Sequence, residues 1–86
     1  MAKTIQLQIV TPNKVVFTGE VDNFTAPGVM GPFQVLYNHA PIVAALGPGV
    51  FKYTINGKEQ EYMISGGFLE LHKNNGTVLA DSAEQQ

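Results

Sequence analysis

Cysteine and tryptophan are both absent from the sequence, and charged residues are sparse. Without cysteine, the chain can form neither disulfides nor thiolate metal sites. Its five basic and seven acidic residues include no basic run, so it lacks the positive patch that binds a nucleic-acid backbone. No apolar stretch approaches the ~20 residues that would cross a bilayer, and the first residues show no signal-peptide pattern. We therefore expect a soluble, cytoplasmic protein with no nucleic-acid partner.

The apolar content is high for so short a chain, at 44% of 86 residues. A compact domain needs roughly 50 to 200 residues, so we expect residues 1–86 to form a single domain. Apolar and polar residues alternate from Ile5 to Ile9 with the period of a half-buried strand. Similar short runs predict further strands at residues 15–17, 21–25, 34–36, 50–55, 58–64, 68–71 and 77–80. Because Gly, Pro and Asn turns separate them, the sequence predicts an all-β sandwich or flattened barrel.

The Asn-Gly pair at positions 56–57 is the clearest local signal, because Asn-Gly favours a two-residue hairpin turn of type I′. Such a turn fixes the register of the strands on either side of it. Phe51 should then face Tyr62, and Lys52 should face Glu61 on the other side of the hairpin. The sequence therefore predicts a hairpin with one aromatic face and one charged face.

Glycine, proline and asparagine also punctuate the rest of the chain. Residues 26–32 hold two prolines and two glycines, which predicts a loop. Gly19 is expected to mark a β-bulge, and Lys73–Gly76 is expected to be a second hairpin turn. Residues 81–84 have the composition of a helix N-terminus.

Two histidines, His39 and His72, are the candidate metal ligands or catalytic bases. Neither has a second ligand at the spacing of a zinc site, so we expect no metal. The carboxylates are scattered over different predicted strands, and no pair is placed for acid and base catalysis. For His39 two interpretations stay open: a partly buried turn residue held by a hydrogen bond, or a surface residue that meets a protein partner.

Two further segments call for an explanation. Ser65–Gly67 does not match a nucleophile elbow, which needs Gly two residues before the Ser, where this chain has Met63. Its two glycines instead favour the close approach of a neighbouring strand. Val29, Met30 and Phe33 are apolar residues within or beside the predicted loop, where they either contact a partner or fold back over the sandwich. With no catalytic constellation, an interaction role is favoured by elimination.

Four sequence blocks, in order, resemble the epsilon subunit of the F-type ATP synthase in its N-terminal β-sandwich domain. Phe17–Val21 resembles the family's aromatic-x-Gly-x-Val segment, and Asn38–Val43 resembles its His-Ala-Pro-aliphatic signature. Ser65–Glu70 resembles the Gly-Gly-Phe-x-Glu block, and Val78–Glu84 resembles the Val-Leu-Ala-Asp-x-Ala-Glu ending. The blocks cover nearly the whole chain, so their combination is specific although each alone is weak.

The resemblance implies a small ten-stranded β-sandwich that acts as a non-catalytic rotor subunit in the central stalk. Such a domain links the gamma subunit to the c-ring, couples proton-driven rotation to ATP synthesis, and needs no cofactor. It is monomeric when isolated and lies peripherally at the cytoplasmic face of the plasma or inner membrane, without inserting into lipid. By position, the implied gamma contact consists of Thr11, Asn38, His39 and Ala40. The implied c-ring contact consists of Met30, Gly31, Pro32 and Phe33.

The sequence departs from the family pattern in two ways. Gln34 and Tyr37 stand where the family often has Gly and Pro, which alters the expected shape of the c-ring loop. The family's C-terminal helical hairpin has no counterpart after Gln86, so its inhibitory and ATP-binding roles are not expected here.

Two rival interpretations come from other functional classes. One is a β-sandwich that binds a small ligand or carbohydrate on an aromatic platform of Tyr37, Tyr53 and Tyr62. The other is a hydrolase in which His39 works with a carboxylate. Saturable binding of a small ligand would favour the first, and turnover that is lost in His39→Ala would favour the second.

Overall fold

Ten strands and no helix make up residues 3–86, the part of the chain that the computed structural model describes. In chain order they are β1 (Ile5–Thr11), β2 (Lys14–Val21), β3 (Asn23–Gly28), β4 (Gly31–Leu36), β5 (Ile42–Leu46), β6 (Gly49–Ile55), β7 (Lys58–Ile64), β8 (Gly67–His72), β9 (Asn75–Ala80) and β10 (Ala83–Gln85). The expectation of an all-β, ten-stranded fold is confirmed.

The strands form one continuous hydrogen-bonded sheet, which divides into two five-stranded layers. The first layer has the order β4-β3-β6-β7-β10, and the second has the order β5-β8-β9-β1-β2. The layers join where β3 meets β5, at the pair formed by Gly28 and Leu46. Paired strands are antiparallel, with the exception of β1 and β9, which run parallel. Each layer therefore has one face in the core and one face in solvent.

The core is built from alternate residues of strands in both layers. Phe24 of β3 stacks on Phe51 of β6 with 5.3 Å between ring centroids. Gly76 of β9 lies beside the Phe24 ring, which a Cβ at this position would meet at 3.6 Å, in ordinary van der Waals contact. Phe17 of β2 stacks on Tyr53 of β6 at 4.4 Å, which joins the last strand of the second layer to the first layer. Full burial of one such ring stabilises a fold by about 1.5–3 kcal/mol.

The hairpin predicted at positions 56–57 forms with the predicted register. The two turn residues have φ angles of 51° and 79°, the pair of positive values that a type I′ turn requires. Phe51 faces Tyr62 and Lys52 faces Glu61. The two aromatic residues are buried, whereas the two charged residues are partly exposed. A second two-residue turn with positive φ angles, Lys73–Asn74, joins β8 to β9 within the predicted turn segment.

The loop predicted for residues 26–32 is wrong, because β3 and β4 continue to a two-residue turn at Val29–Met30. The prolines are compatible with this hairpin because of their places in it. Pro27 and Pro32 face each other as a non-hydrogen-bonded pair, in which the backbone nitrogen of each residue points away from the partner strand. Their lack of an N–H therefore removes no hydrogen bond between β3 and β4. The Pro27 carbonyl accepts the Gly47 N–H at 2.8 Å on the side away from β4, and Pro32 lies on an edge strand.

Two smaller predictions are also wrong. The bulge lies at Val16, which the register of β1 with β2 skips, whereas Gly19 pairs regularly with Leu7. Gly19 instead leaves space for a ring, because a Cβ there would lie 3.0 Å from Cζ of Phe17. Residues 81–84 do not begin a helix, because Ala83–Gln85 pairs with the free side of β7 as strand β10.

Burial raises the pKa of the Tyr53 hydroxyl above its ordinary value, and the neighbouring Tyr62 adds to the shift. The two rings lie 6.1 Å apart, and Tyr53 is only 3% exposed. The folded state thus disfavours the phenolate, so the contribution of this group to stability is complete below pH 10.0, the ordinary pKa. It is lost as the pH rises from there through the higher pKa of the folded state.

We expect the urea midpoint to fall between about pH 9 and about pH 11.5, and to fall less in Tyr53→Phe, which has no phenolic proton to lose. The exposed Tyr37 offers a matched control, and Tyr37→Phe should behave like the unchanged chain. Equal losses in Tyr53→Phe and the unchanged chain would contradict this account of alkaline unfolding.

Candidate interaction surface

An apolar row crosses the outer face of the second layer from one edge to the other. Its members are cross-strand neighbours, one from each strand: Ala45, Phe68, Leu79, Val10 and Val15. Phe68 is 60% exposed, and Leu79 and Val15 are each 55% exposed. Sheet faces that stay in water are ordinarily polar, so this row is typical of a surface that another protein covers.

The apolar row comes from pairs of consecutive apolar residues. Neighbouring side chains in a strand point to opposite faces, so one member of each pair enters the core and the other faces solvent. Leu69 and Val78 are fully buried, while the adjacent Phe68 and Leu79 are exposed. Val43, on the same outer face of β5, is 81% exposed. Reasoning from the sequence missed these residues, and the doubled apolar pairs are the signal that identifies them.

His39 lies in the turn between β4 and β5. Its N–H donates to the Leu36 carbonyl at 3.1 Å, and Asn38, with a φ of 65°, bends the chain beside it. Its ring Nδ1 lies 2.8 Å from the carbonyl oxygen of Ala40 and must carry the proton of that hydrogen bond, which in a neutral ring leaves Nε2 as an acceptor. The turn and the hydrogen bond of the first interpretation are confirmed. The partial burial that it also assumed is wrong, because residues 36–41 are all exposed.

Two hydrogen bonds tie Asn38 to Asn74, a residue of the turn between β8 and β9. The Asn38 N–H donates to Oδ1 of Asn74 at 2.7 Å, and Nδ2 of Asn74 donates to Oδ1 of Asn38 at 3.1 Å. The two turns lie side by side because the start of β5 pairs with the end of β8. We refer to this pair of bonds as the Asn38–Asn74 interlock.

The tip of the β3–β4 hairpin is apolar and exposed, with Met30 at 97% and Val29 at 62% exposure. Phe33, in contrast, packs partly against the core. A groove of about 530 Å³ separates this hairpin from β5, and Met30, Phe33, His39 and Val43 are among the residues that line it. The structure thus brings His39, expected at the gamma contact, into one groove with hairpin residues expected at the c-ring contact.

The remaining residues expected at the two contacts are also on the surface. Ala40 is exposed beside His39. Gly31 and Pro32 are exposed at the start of β4, which is an edge strand. Gly31 has a φ of 127°, a value that favours glycine.

Thr11 lies at the opposite end of the second layer from His39. It ends β1, whereas the carbonyl of Asn74 accepts the N–H of Gln6 near the start of β1, at 2.8 Å. Five residues of strand, about 17 Å, separate Gln6 from Thr11. The expected proximity of Thr11 to Asn38 and His39 is therefore wrong, because β1 runs parallel to β9 and carries Thr11 away from the interlock.

A continuous, mostly apolar surface nevertheless connects these two ends, with Glu70 as a charged residue in its middle. Phe68 and Leu79 line a groove together with Thr11, and they line a second groove together with Val43. Val43 also lines the groove that contains His39. We call this surface, from Thr11 across Phe68, Leu79 and Val43 to His39, the apolar face.

Two glycines, Gly66 just before β8 and Gly67 as its first residue, permit the close strand approach that the sequence predicts. Gly66 and Gly67 have φ angles of 135° and 150°. A Cβ on Gly67 would overlap the carbonyl oxygen of Leu79 and lie 2.9 Å from Cα of Ala80. The glycine thus allows β8 and β9 to pair at this end, where Phe68 meets Leu79.

The structure does not bring together the residues that the ligand-binding and hydrolase interpretations require. Tyr53 and Tyr62 are 3% and 8% exposed in the core, so they form no aromatic platform with Tyr37. The groove beside His39 has no carboxylate among the lining residues that the structure describes. Within residues 3–86, no group of three or more His, Asp or Glu residues could hold a metal ion. The described part of the chain also has no helix that is long and apolar enough to cross a membrane.

The sequence has many relatives of known identity. A family model described as "ATP synthase, Delta/Epsilon chain, beta-sandwich domain" matches residues 4–86. The ATP synthase epsilon chains of Carboxydothermus hydrogenoformans and Nitratidesulfovibrio vulgaris are 45% and 47% identical over 85 residues. Each alignment covers 99% of this chain and 63% of the relative, so the chain spans less than two thirds of the length of these relatives.

Solved structures of ATP synthases contain chains with the same fold. A chain in the cryo-EM structure of the Euglena gracilis mitochondrial ATP synthase, OSCP/F1/c-ring, has a TM-score of 0.92 and 24% identity, covering 96% of this chain and 54% of that chain. A chain in the central stalk/c-ring structure of the Tetrahymena thermophila enzyme has a TM-score of 0.80 and 15% identity, covering 93% and 65%. At such identities the likeness supports the fold.

Gly67→Ala should lower the free energy of unfolding by about 3 kcal/mol or more, because its Cβ meets the main chain of β9. Gly57→Ala is the control, since its φ is also positive, at 79°, but nothing lies within 4 Å of the added Cβ. We expect that variant to lose about 1 kcal/mol. Urea unfolding of both variants measures the difference, and similar losses would contradict the close approach of β8 and β9.

Proposed function

The chain belongs to the ATP synthase Delta/Epsilon chain, beta-sandwich domain family, and on this basis we propose that it is the β-sandwich of an epsilon subunit in the rotor. In this role it has no catalytic site and transmits rotation between the c-ring and the gamma subunit of the central stalk. It is held at the cytoplasmic face of an energy-transducing membrane by protein contacts and is monomeric when isolated. The curated epsilon chains that match nearly all of its length support this proposal.

The observation that carries the proposal is the apolar face. Interface cores are depleted in charge and rich in aromatic and aliphatic side chains, as are Phe68, Leu79 and Val43 at the centre of this surface. The gamma subunit covers this face, with Thr11 at one border and the turn of Asn38, His39 and Ala40 at the other. A standard interface takes about 800 Å² from each partner, roughly 15% of the 5212 Å² that this domain exposes.

The c-ring contact lies at the β3–β4 hairpin, through Met30, Gly31, Pro32 and Phe33. Met30 is almost fully exposed, and its unbranched side chain adapts to irregular partner surfaces. The hairpin is paired up to its tip, and two prolines restrict the backbone on either side of it. A short, stiff projection of this kind suits a contact that must carry torque.

A double substitution, Phe68→Ser with Leu79→Ser, is expected to weaken binding to the gamma subunit from the same source by at least about tenfold, because it removes the apolar centre of the contact. Met63→Ser is the matched control: Met63 is also exposed, at 41%, but it lies on β7 in the first layer. Isothermal titration calorimetry gives the dissociation constants of the unchanged chain and of each variant. His39→Ala, at the border, should weaken binding by a smaller factor.

All of these side chains are exposed, so the variants should unfold at nearly the same urea concentration as the unchanged chain. Lost affinity would then report the contact itself. Equal affinity of the double variant and of Met63→Ser would remove the apolar face from the gamma contact. Absence of a complex between the unchanged chain and gamma at micromolar concentrations would overturn the rotor role.

Met30→Ser tests the second contact separately. We expect it to reduce capture of the chain, in complex with gamma, by purified c-ring in detergent, while its affinity for gamma stays within about twofold of the original. Met63→Ser is again the control, since Met63 is exposed, at 41%, but lies on β7 in the first layer, away from the hairpin tip and the apolar row. Undiminished capture of Met30→Ser would contradict a c-ring contact at the hairpin tip.

A further inference from the structure

The turn that presents His39 connects strands of different layers. β4 belongs to the first layer and β5 to the second, so the turn spans the end of the sandwich. The bonds of His39 to Leu36 and Ala40 are local and shape the turn from within. They do not determine where the turn lies on the rest of the molecule. Strand pairs hold the two ends of this segment, and the Asn38–Asn74 interlock adds a long-range restraint within the turn itself.

Hydrogen bonds from both its main chain and its side chain hold Asn74 in position. Its main-chain carbonyl accepts the N–H of Gln6 at 2.8 Å, which joins the β8–β9 turn to β1. Its side chain bonds Asn38 with both of its polar atoms, one as acceptor and one as donor. A chain of hydrogen bonds therefore runs from the second layer, through Asn74, to the residue next to His39.

The β8–β9 turn does not itself need an amide side chain at position 74. Both of its residues have positive φ angles, 50° at Lys73 and 61° at Asn74, and Lys73 adopts this conformation without such a bond. Asparagine tolerates positive φ better than most residues. That tolerance does not require the Asn74 amide to point toward Asn38, so the two bonds between these residues need a separate explanation.

We propose that Asn74 is a positioning residue for the gamma contact: through the interlock it fixes the Asn38–Ala40 segment at the border of the apolar face. This inference rests on the proposed rotor function. Asn74 does not touch the partner in this account. It acts by keeping the His39 turn in one place before binding, so that less conformational freedom is lost when the partner arrives.

Hydrogen exchange of the Asn38 amide tests the interlock in the isolated chain, without any partner. In Asn74→Gly the amide loses its acceptor, and we expect its exchange, followed by NMR, to become at least tenfold faster. Lys73→Gly is the matched control, because it places the same flexible residue in the same turn and leaves the interlock intact. Its Asn38 amide should exchange within about twofold of the original rate.

Rescue distinguishes the hydrogen bond from a general role in folding. Asn74→Asp keeps an oxygen that can accept the Asn38 N–H, and Asp also tolerates positive φ. This variant should restore slow exchange at Asn38, because the acceptor of its N–H is kept although the bond donated by Nδ2 of Asn74 is lost. Fast exchange in Asn74→Asp, or equal exchange in Asn74→Gly and Lys73→Gly, would overturn the interlock as the restraint.

The affinity for gamma then tests the consequence. We expect Asn74→Gly to bind gamma about fivefold more weakly than Lys73→Gly, and Asn74→Asp to recover most of the loss. Equal affinities of Asn74→Gly and Lys73→Gly would overturn the positioning role and leave the rotor function standing. If the unchanged chain itself fails to bind gamma, the rotor function fails, and the positioning role fails with it.

Discussion

The arrangement of the fold depends on the pairing of β3 with strands of both layers. β3 pairs with β6 and β4 in the first layer, and its last residue, Gly28, pairs with Leu46 of β5 in the second. This pairing fixes how the layers face each other, so that Phe24 on β3 stacks on Phe51 in its own layer and lies beside Gly76 of the other layer. It also sets the β3–β4 hairpin beside β5, which creates the groove that contains His39. The pairing of β3 therefore determines both the packing of the core and the shape of the groove beside His39.

The two outer faces of the sandwich differ in character. The outer face of the first layer carries Lys52, Glu59 and Glu61 on the β6–β7 hairpin, while that of the second layer carries Phe68 and Leu79 at its centre, with Glu70 beside them. With only five basic and seven acidic residues in the chain, few charges are available to cover both sides. The outer face of the second layer is therefore the more apolar of the two and suits a protein partner, whereas the outer face of the first layer suits water.

Features with a short-range cause could be predicted from the sequence. The Asn-Gly turn at 56–57 fixes its own register, and the His39 turn follows from residues next to it. The rest depends on neighbours far along the chain. Pro27 and Pro32 suggest a loop, and only their pairing partners make them part of a hairpin. The distance of Thr11 from the His39 turn follows from the parallel pairing of β1 with β9, and the exposure of Phe68 follows from which face of its strand meets the core.

That parallel pairing also orders events during protein synthesis. β1 and β2 leave the ribosome first among the strands, yet the second neighbour of β1 is β9, whose residues 75–80 emerge about 70 residues later. The β1–β2 hairpin is complete at Val21, so at roughly 5 to 20 residues per second it waits on the order of 3 to 12 s with one edge unpaired. Such an edge offers free N–H and C=O groups to any other extended chain. Closure of the second layer is therefore a late step, and the nascent domain must stay unaggregated until its ninth strand arrives.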